Sequence, residues 1–171
     1  MEKHYLCGTV EESKKKYYSY AMNITIRLLK YEDCAQLSKI FQNELGYSNC
    51  SQKTVENGFN KLDGKREAVF VAVDLDKGDF EDYICGVVHI ELYNVLYMEN
   101  MANVLGMVVA EEYQRHGIGT MLLQKAENWA KENSAMKIRL NSGANRTKAH
   151  KFYRALGYEN EKMQMRFIKV L

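Results

Sequence analysis

Met107-Val108-Val109-Ala110-Glu111-Glu112-Tyr113-Gln114-Arg115-His116-Gly117-Ile118-Gly119-Thr120 is an apolar strand that runs into a polar turn, two glycines and the start of a helix. That order has a physical purpose. The first turn of a helix carries N–H groups with no partner and the positive end of the macrodipole, so an anion placed there meets several donors at once. Gly117 and Gly119 lack Cβ atoms, which lets the backbone bend and come close to phosphate oxygens. Two other phosphate loops are excluded: the P-loop needs a lysine between its last glycine and Ser/Thr, and the dinucleotide fingerprint needs a third glycine where Leu122 stands. Taken alone, an ordinary strand-to-helix turn rich in glycine reads the same way.

Working outward, Leu122, Ala126, Trp129 and Ala130 fall on one face and predict an amphipathic helix to about residue 131. A short strand over 137–140 follows, then a helix over 146–156 with Ala149, Phe152, Tyr153 and Leu156 on its apolar face, ended by Gly157. The alternation of Met165, Phe167 and Lys169 with Arg166, Ile168 and Val170 predicts a last strand over 163–170. Upstream, Ile24, Ile26 and Leu28 alternate as a strand, and Leu37, Ile40, Phe41 and Leu45 mark a helix between Asp33 and Gly46. A second short helix is expected over 52–62, and Asp63-Gly64 marks a turn. Strands over 68–75 and 83–92 form an antiparallel pair around a polar connection, and strand character returns over 102–109.

The chain of 171 residues, 46% hydrophobic and 27% charged, suits one globular domain. Residues 1–21 carry the charge run Glu11-Glu12-Ser13-Lys14-Lys15-Lys16 and read as an N-terminal extension, with the domain over 22–171. A formal charge of +2 gives no basis for a nucleic-acid or membrane partner. Cys7, Cys34, Cys50 and Cys85 form no metal-binding spacing, so no metal is expected and the thiols read as free. No signal-like or membrane-length apolar run is present, so the expected location is cytoplasmic.

The run Gln114-Arg115-His116-Gly117-Ile118-Gly119 resembles the Q/R-x-x-G-x-G/A signature of the GNAT superfamily of acetyl-CoA-dependent N-acetyltransferases. Ala149-His150-Lys151-Phe152-Tyr153-Arg154-Ala155-Leu156-Gly157-Tyr158 is similar to the second block of that family, in the right order and distance. The resemblance spans residues 23–171 in element order and is strongest over 104–158. It implies a mixed α/β domain: a mostly antiparallel central sheet, helices on both faces, and a splayed strand pair that admits acetyl-CoA. It further implies that the backbone of Met107, Val108 and Val109 pairs with the pantetheine arm. Gln114, Arg115, His116, Gly117, Ile118, Gly119 and Thr120 would then wrap the pyrophosphate. Family members often contact the cofactor through an asparagine three residues before the helix alanine. Here Arg146 holds that position and Asn145 stands one residue earlier.

The implied reaction is direct attack of a primary amine, on a small molecule or peptide, at the thioester. Such attack needs a polarised carbonyl and a proton for the departing thiolate. Tyr153 can supply that proton as general acid, although a tyrosine on an apolar helix face also suits a packing role. The general base is left open among His89, Glu91 and Glu99: His89 and Glu91 share a strand face with Val87, and such a face is as readily just solvated. Two other readings stand beside the enzyme: a catalytically silent acyl-CoA-binding or sensing module, and a nucleotide-binding protein using the same loop. A homodimer is also left open.

Overall fold

Ala68-Val69-Phe70-Val71-Ala72-Val73 contains no polar residue, so a strand built from it must be covered on both faces. The computed structural model describes residues 22–77 and 82–171 and does cover both. The N-terminal extension read at residues 1–21 and the tip of the connection read over 74–82 lie outside the described residues. The apolar run forms β2 (Glu67–Asp74) in a five-stranded sheet with β1 (Ile24–Leu28), β3 (Tyr83–Tyr93), β4 (Met101–Val109) and β5 (Lys137–Leu140). The strands lie in chain order; the first three pairings are antiparallel and β4–β5 is parallel.

The two-residue period of β2 divides the core in two. Val69, Val71 and Val73, with Ile84, Val87 and Val108, meet Leu37 and Ile40 of α1 (Cys34–Leu45), with Val55 of α2 (Gln52–Phe59) packed alongside. On the opposite face Phe70, Cys85, Val88 and Ile90 meet Ile118, Leu122, Leu123 and Ala126 of α3 (Ile118–Glu132), and α4 (Thr147–Ala155) adds Phe152 and Tyr153. Helices therefore cover both faces, as expected. Gly46 ends α1 in the left-handed region at φ 73°, and Gly157 follows α4 at φ 86°.

One reading is corrected. No strand forms over 163–170: residues 159–171 are exposed, with Met163, Met165 and Phe167 among the exposed apolar side chains, and β5 pairs with β4 alone among the described residues. Alternation states only that a segment suits a sheet edge; it becomes a strand when an edge pairs with it. Leu28, the third apolar residue of the β1 pattern, ends the strand and is 60% exposed. Asp33 occupies the N-cap position of α1 without capping it, because its carboxylate is taken by Arg27 (2.7 and 2.8 Å) and by the Lys30 N–H (2.7 Å).

Candidate active site

A β-bulge shapes the site. His89 lies opposite Gly106 and Ile90 opposite Val104, so Leu105 is an extra residue on β4. Bulges bend a strand and increase its twist. The pairing of β4 with β5 runs from Met101↔Lys137 to Val104↔Leu140 and stops there, one residue before the bulge. Beyond it β4 continues to Val109 beside β3 only, and the two strands form a fork.

The outer edge of β4 offers backbone groups to that fork. Ala110 N–H donates to Cys85 O (2.9 Å), so Ala110 and Val108 turn toward β3, and strand alternation turns Val109 and Met107 the other way. Gln114 Nε2 donates to the outward Val109 carbonyl at 3.1 Å. Val108 differs from its neighbours in that its backbone faces β3 and its side chain is in the core under α1, which leaves Met107 and Val109 toward the fork.

The loop leaving β4 is braced from below. A 3-10 turn, Glu111–Tyr113, buries Tyr113, whose hydroxyl donates to the buried Asp74 Oδ2 at 2.8 Å. Burial and then Asp74 raise the Tyr113 pKa, so the phenol stays a donor. Lys77 Nζ lies 2.6 Å from Glu112 Oε1 and 4.2 Å above the Tyr83 ring. Past the brace, Gln114, Arg115, His116 and Gly117 are exposed, with Arg115 at φ 67° and Gly117 at φ 83°. Gly117 is the N-cap of α3 and the first helical bond is Met121 N–H to Gly117 O, so the amides of Ile118, Gly119 and Thr120 have no helical acceptor. Gly119 has a further reason to be glycine. A Cβ there would lie 3.2 Å from Phe152 Cζ, so its small size seats α4 against α3.

The far side of the fork is the segment 141–146 and α4. His150 Nε2 bonds Gly143 O at 3.0 Å and ties the segment to the helix; Asn145 is exposed. Tyr153 is half-buried between Phe152 (ring centroids 5.3 Å) and Tyr158 (6.0 Å). Burial raises its pKa and the charge of Arg146 opposes the rise, with no hydrogen bond contributing. Tyr158 is engaged with Glu127 Oε1 at 2.9 Å. Among the described residues, two buried polar side-chain atoms lack a partner: Asn103 Oδ1 on β4 and Ser142 Oγ just past β5. Asn103 lies on the part of β4 still paired with β5, and Ser142 lies on the segment that forms the far side of the fork. The orphaned Ser142 Oγ, on the far side of the fork, fits a gap that takes a hydrogen-bonding ligand.

On the α1 face, His89 Nε2 meets Glu67 Oε2 at 2.8 Å, and Glu91 Oε1 accepts from Asn103 Nδ2 at 3.0 Å. Glu99 stands before the start of β4, exposed and 3.9 Å from Lys137. Met107, Val109, Phe152 and Tyr153 thus pack against the same core cluster, Gly119 of the loop lies against Phe152, and Glu99 stands exposed beside Lys137. Sequence reasoning missed Ser142, the Tyr113–Asp74 brace and Glu67 as the partner of His89. The one local signal was a carboxylate, Asp74, closing an otherwise apolar strand.

Residues 35–158 match the Acetyltransferase (GNAT) family. The chain belongs to that family. It is therefore an acetyl-CoA-dependent acyltransferase. An uncharacterized N-acetyltransferase of Chlorobaculum tepidum is 26% identical over 142 residues, covering 81% of this chain and 77% of that one. Among solved structures, a transcriptional regulator from Bacillus halodurans superposes with a TM-score of 0.70 at 23% identity, covering 84% of this chain and 99% of that one. An aminoglycoside 6'-N-acetyltransferase from Acinetobacter baumannii gives 0.71 at 16% identity, covering 86% and 99%. In this GNAT acetyltransferase the matched span ends at Tyr158, so the exposed residues 159–171 fall outside it.

Proposed function

We propose that this enzyme moves the acetyl group of acetyl-CoA to a primary amine of a small molecule or peptide by direct attack. The observation that carries the reading is the fork, in which an outward β4 edge leads through one short turn and loop to the unbonded amides of α3. In this reading the pantetheine arm lies along Met107 and Val109 as an added strand would. Its pyrophosphate meets the N–H groups of Gly117, Ile118, Gly119 and Thr120, with Arg115 contributing charge, His116 a ring N–H, and Gln114 holding the Val109 carbonyl in place. Asn145 and Ser142 complete the far wall. An outward β4 N–H polarises the thioester carbonyl, and the Tyr153 phenol protonates the thiolate as it leaves.

A small-molecule acceptor is favoured by the aminoglycoside 6'-N-acetyltransferase among the structural neighbours. No helix among the described residues is long and apolar enough to cross a membrane, and Cys34, Cys50 and Cys85 are free thiols, which suits work in the cytosol. The deciding experiment is calorimetry with coenzyme A followed by an acetylation screen over polyamines, aminoglycosides, amino acids and peptide N-termini, read by thiol release. Acetyl-CoA binding with turnover of at least one amine is expected. Binding without turnover on any of them would leave a sensing module instead.

A further inference from the structure

His89 lies where β4 leaves β5. Its register partner is Gly106, the residue between the Leu105 bulge and the outward-facing Met107, and a Cβ built on Gly106 would have nothing within 4 Å. Space is therefore open on β4 directly beside the imidazole. The ring is held on one side only, by the bond between Nε2 and Glu67 Oε2 at 2.8 Å, and its side chain keeps 33% of its surface. A carboxylate on Nε2 fixes the tautomer with the proton there and leaves Nδ1 with a free lone pair. Glu91 lacks this placement: it is tied to Asn103, and Asn103 pairs with Arg139 on the part of β4 still joined to β5.

We propose that His89 is the proton acceptor for the incoming amine and that Glu67 is its positioning residue. The assignment rests on the acetyl-transfer reading above and adds the missing base to it. The amine lone pair forms the N–C bond at the thioester carbonyl carbon, and the C–S bond breaks with its electron pair going to sulfur. Sulfur takes the Tyr153 phenolic proton, and the N–H proton of the new ammonium passes to His89 Nδ1, directly or through one water. Exchange with solvent then returns both side chains to their starting forms. The charged groups around the imidazole are few. Glu67 comes from β2, with Asp63 behind it donating its N–H to Glu67 at 3.0 Å; Glu91 shares the strand; Arg139 stands on β5 with its guanidinium 5.0 Å from the Tyr93 ring. The helices above contribute the apolar Leu37, Phe41 and Val55, and their carboxylates are directed elsewhere: Glu44 to the Glu111 N–H, Glu56 to Gln52 and Lys53.

The test uses the full chain and the best amine from the screen, with kcat measured against pH at saturating substrates. The acidic limb of that profile reports the base in the complex. In His89→Gln the limb should disappear and kcat fall about 10²–10⁴-fold at neutral pH, the range of a lost general base, with acetyl-CoA affinity unchanged. Glu67→Gln weakens the ring's one anchor, the bond to Nε2 at 2.8 Å, so kcat should fall while KM for acetyl-CoA stays unchanged. His89→Ala with added imidazole should recover part of the lost rate. A limb that survives unmoved in His89→Gln overturns the assignment whatever the size of the rate loss, as does a Glu67→Gln variant that keeps the full wild-type kcat. Failure here is distinguishable from failure of acetyl transfer itself, because the wild type is then active and only the variants disagree.

Discussion

Tyr113→Phe isolates the brace under the glycine loop. The ring remains and keeps its buried area, while Asp74 Oδ2, in a residue only 7% exposed, loses the donor at 2.8 Å; Asp74 Oδ1 still accepts from the Asp76 N–H. Leaving a buried acceptor unpaired costs about 1–3 kcal/mol. At roughly 2–4 °C per kcal/mol for a domain of this size, Tm should fall by about 2–12 °C, and the urea midpoint should drop with m unchanged. Asp74→Ala should be destabilising for the mirror reason. The double variant Tyr113→Phe/Asp74→Ala removes both polar partners and should lose less than the sum of the two, with a coupling of at least about 0.5 kcal/mol. The assay is equilibrium urea unfolding of all four proteins. Additivity, or a Tyr113→Phe loss below about 0.5 kcal/mol, would show that the bond is replaced by water and that the loop is not held from below.

Tyr153→Phe should lower kcat about 10²–10⁴-fold on the best amine with acetyl-CoA affinity nearly unchanged, whereas a packing tyrosine would cost only about 0.5–1.5 kcal/mol of stability; steady-state kinetics decides. Gly119→Val places its first new carbon 3.2 Å from Phe152 Cζ and should weaken coenzyme A binding at least tenfold, about 1.4 kcal/mol, by calorimetry. Adding Phe152→Leu should restore part of that affinity if α4 displacement is the cause; no recovery would assign the loss to the phosphate approach alone. Acid should destabilise the fold. The bond from Lys77 lowers the Glu112 pKa, the bond from Arg27 lowers that of Asp82, and for Glu67 the Asp63 N–H and His89 bonds outweigh a desolvation that acts upward. A lowered folded pKa gives stability present above the unfolded value of about 4 and lost as pH falls through the folded one, so the urea midpoint should drop below about pH 4. An acid loss as large in the Glu67→Gln/Asp82→Asn/Glu112→Gln triple variant as in the wild type would assign it elsewhere.

The parts of this molecule that were legible in the sequence are those whose cause is local. The strand–glycine–helix run over 107–120 carries its own geometry, because φ 83° at Gly117 and the free amides of α3 follow from residues adjacent in the chain. The apolar periods placed α1, α3 and α4 to within a residue or two for the same reason. What was not legible depends on partners distant in sequence. Tyr113 and Asp74 are 39 residues apart, His89 and Glu67 22 apart, and neither pair leaves a mark on the local pattern. Position 119 shows the mixture: glycine was readable, but its neighbour Phe152 was not. The segment 163–170 failed in the opposite way, since its alternation is real and yet no edge among the described residues pairs with it.

The uncharged run from Ala68 to Val73, buried on both faces in the native sheet, has a second life before the sheet exists. Six consecutive apolar residues, four of them β-prone, without charge or proline are the signature of a segment that stacks with copies of itself. While β1 and β3 are still unpaired with it, this window is an aggregation hazard, and Glu67 and Asp74 stand at its two ends as gatekeepers whose like charges repel an in-register stack. Both carboxylates therefore act twice. In the finished fold one orients an imidazole and the other anchors a loop; during refolding each keeps neighbouring chains apart until β3 has closed over the strand.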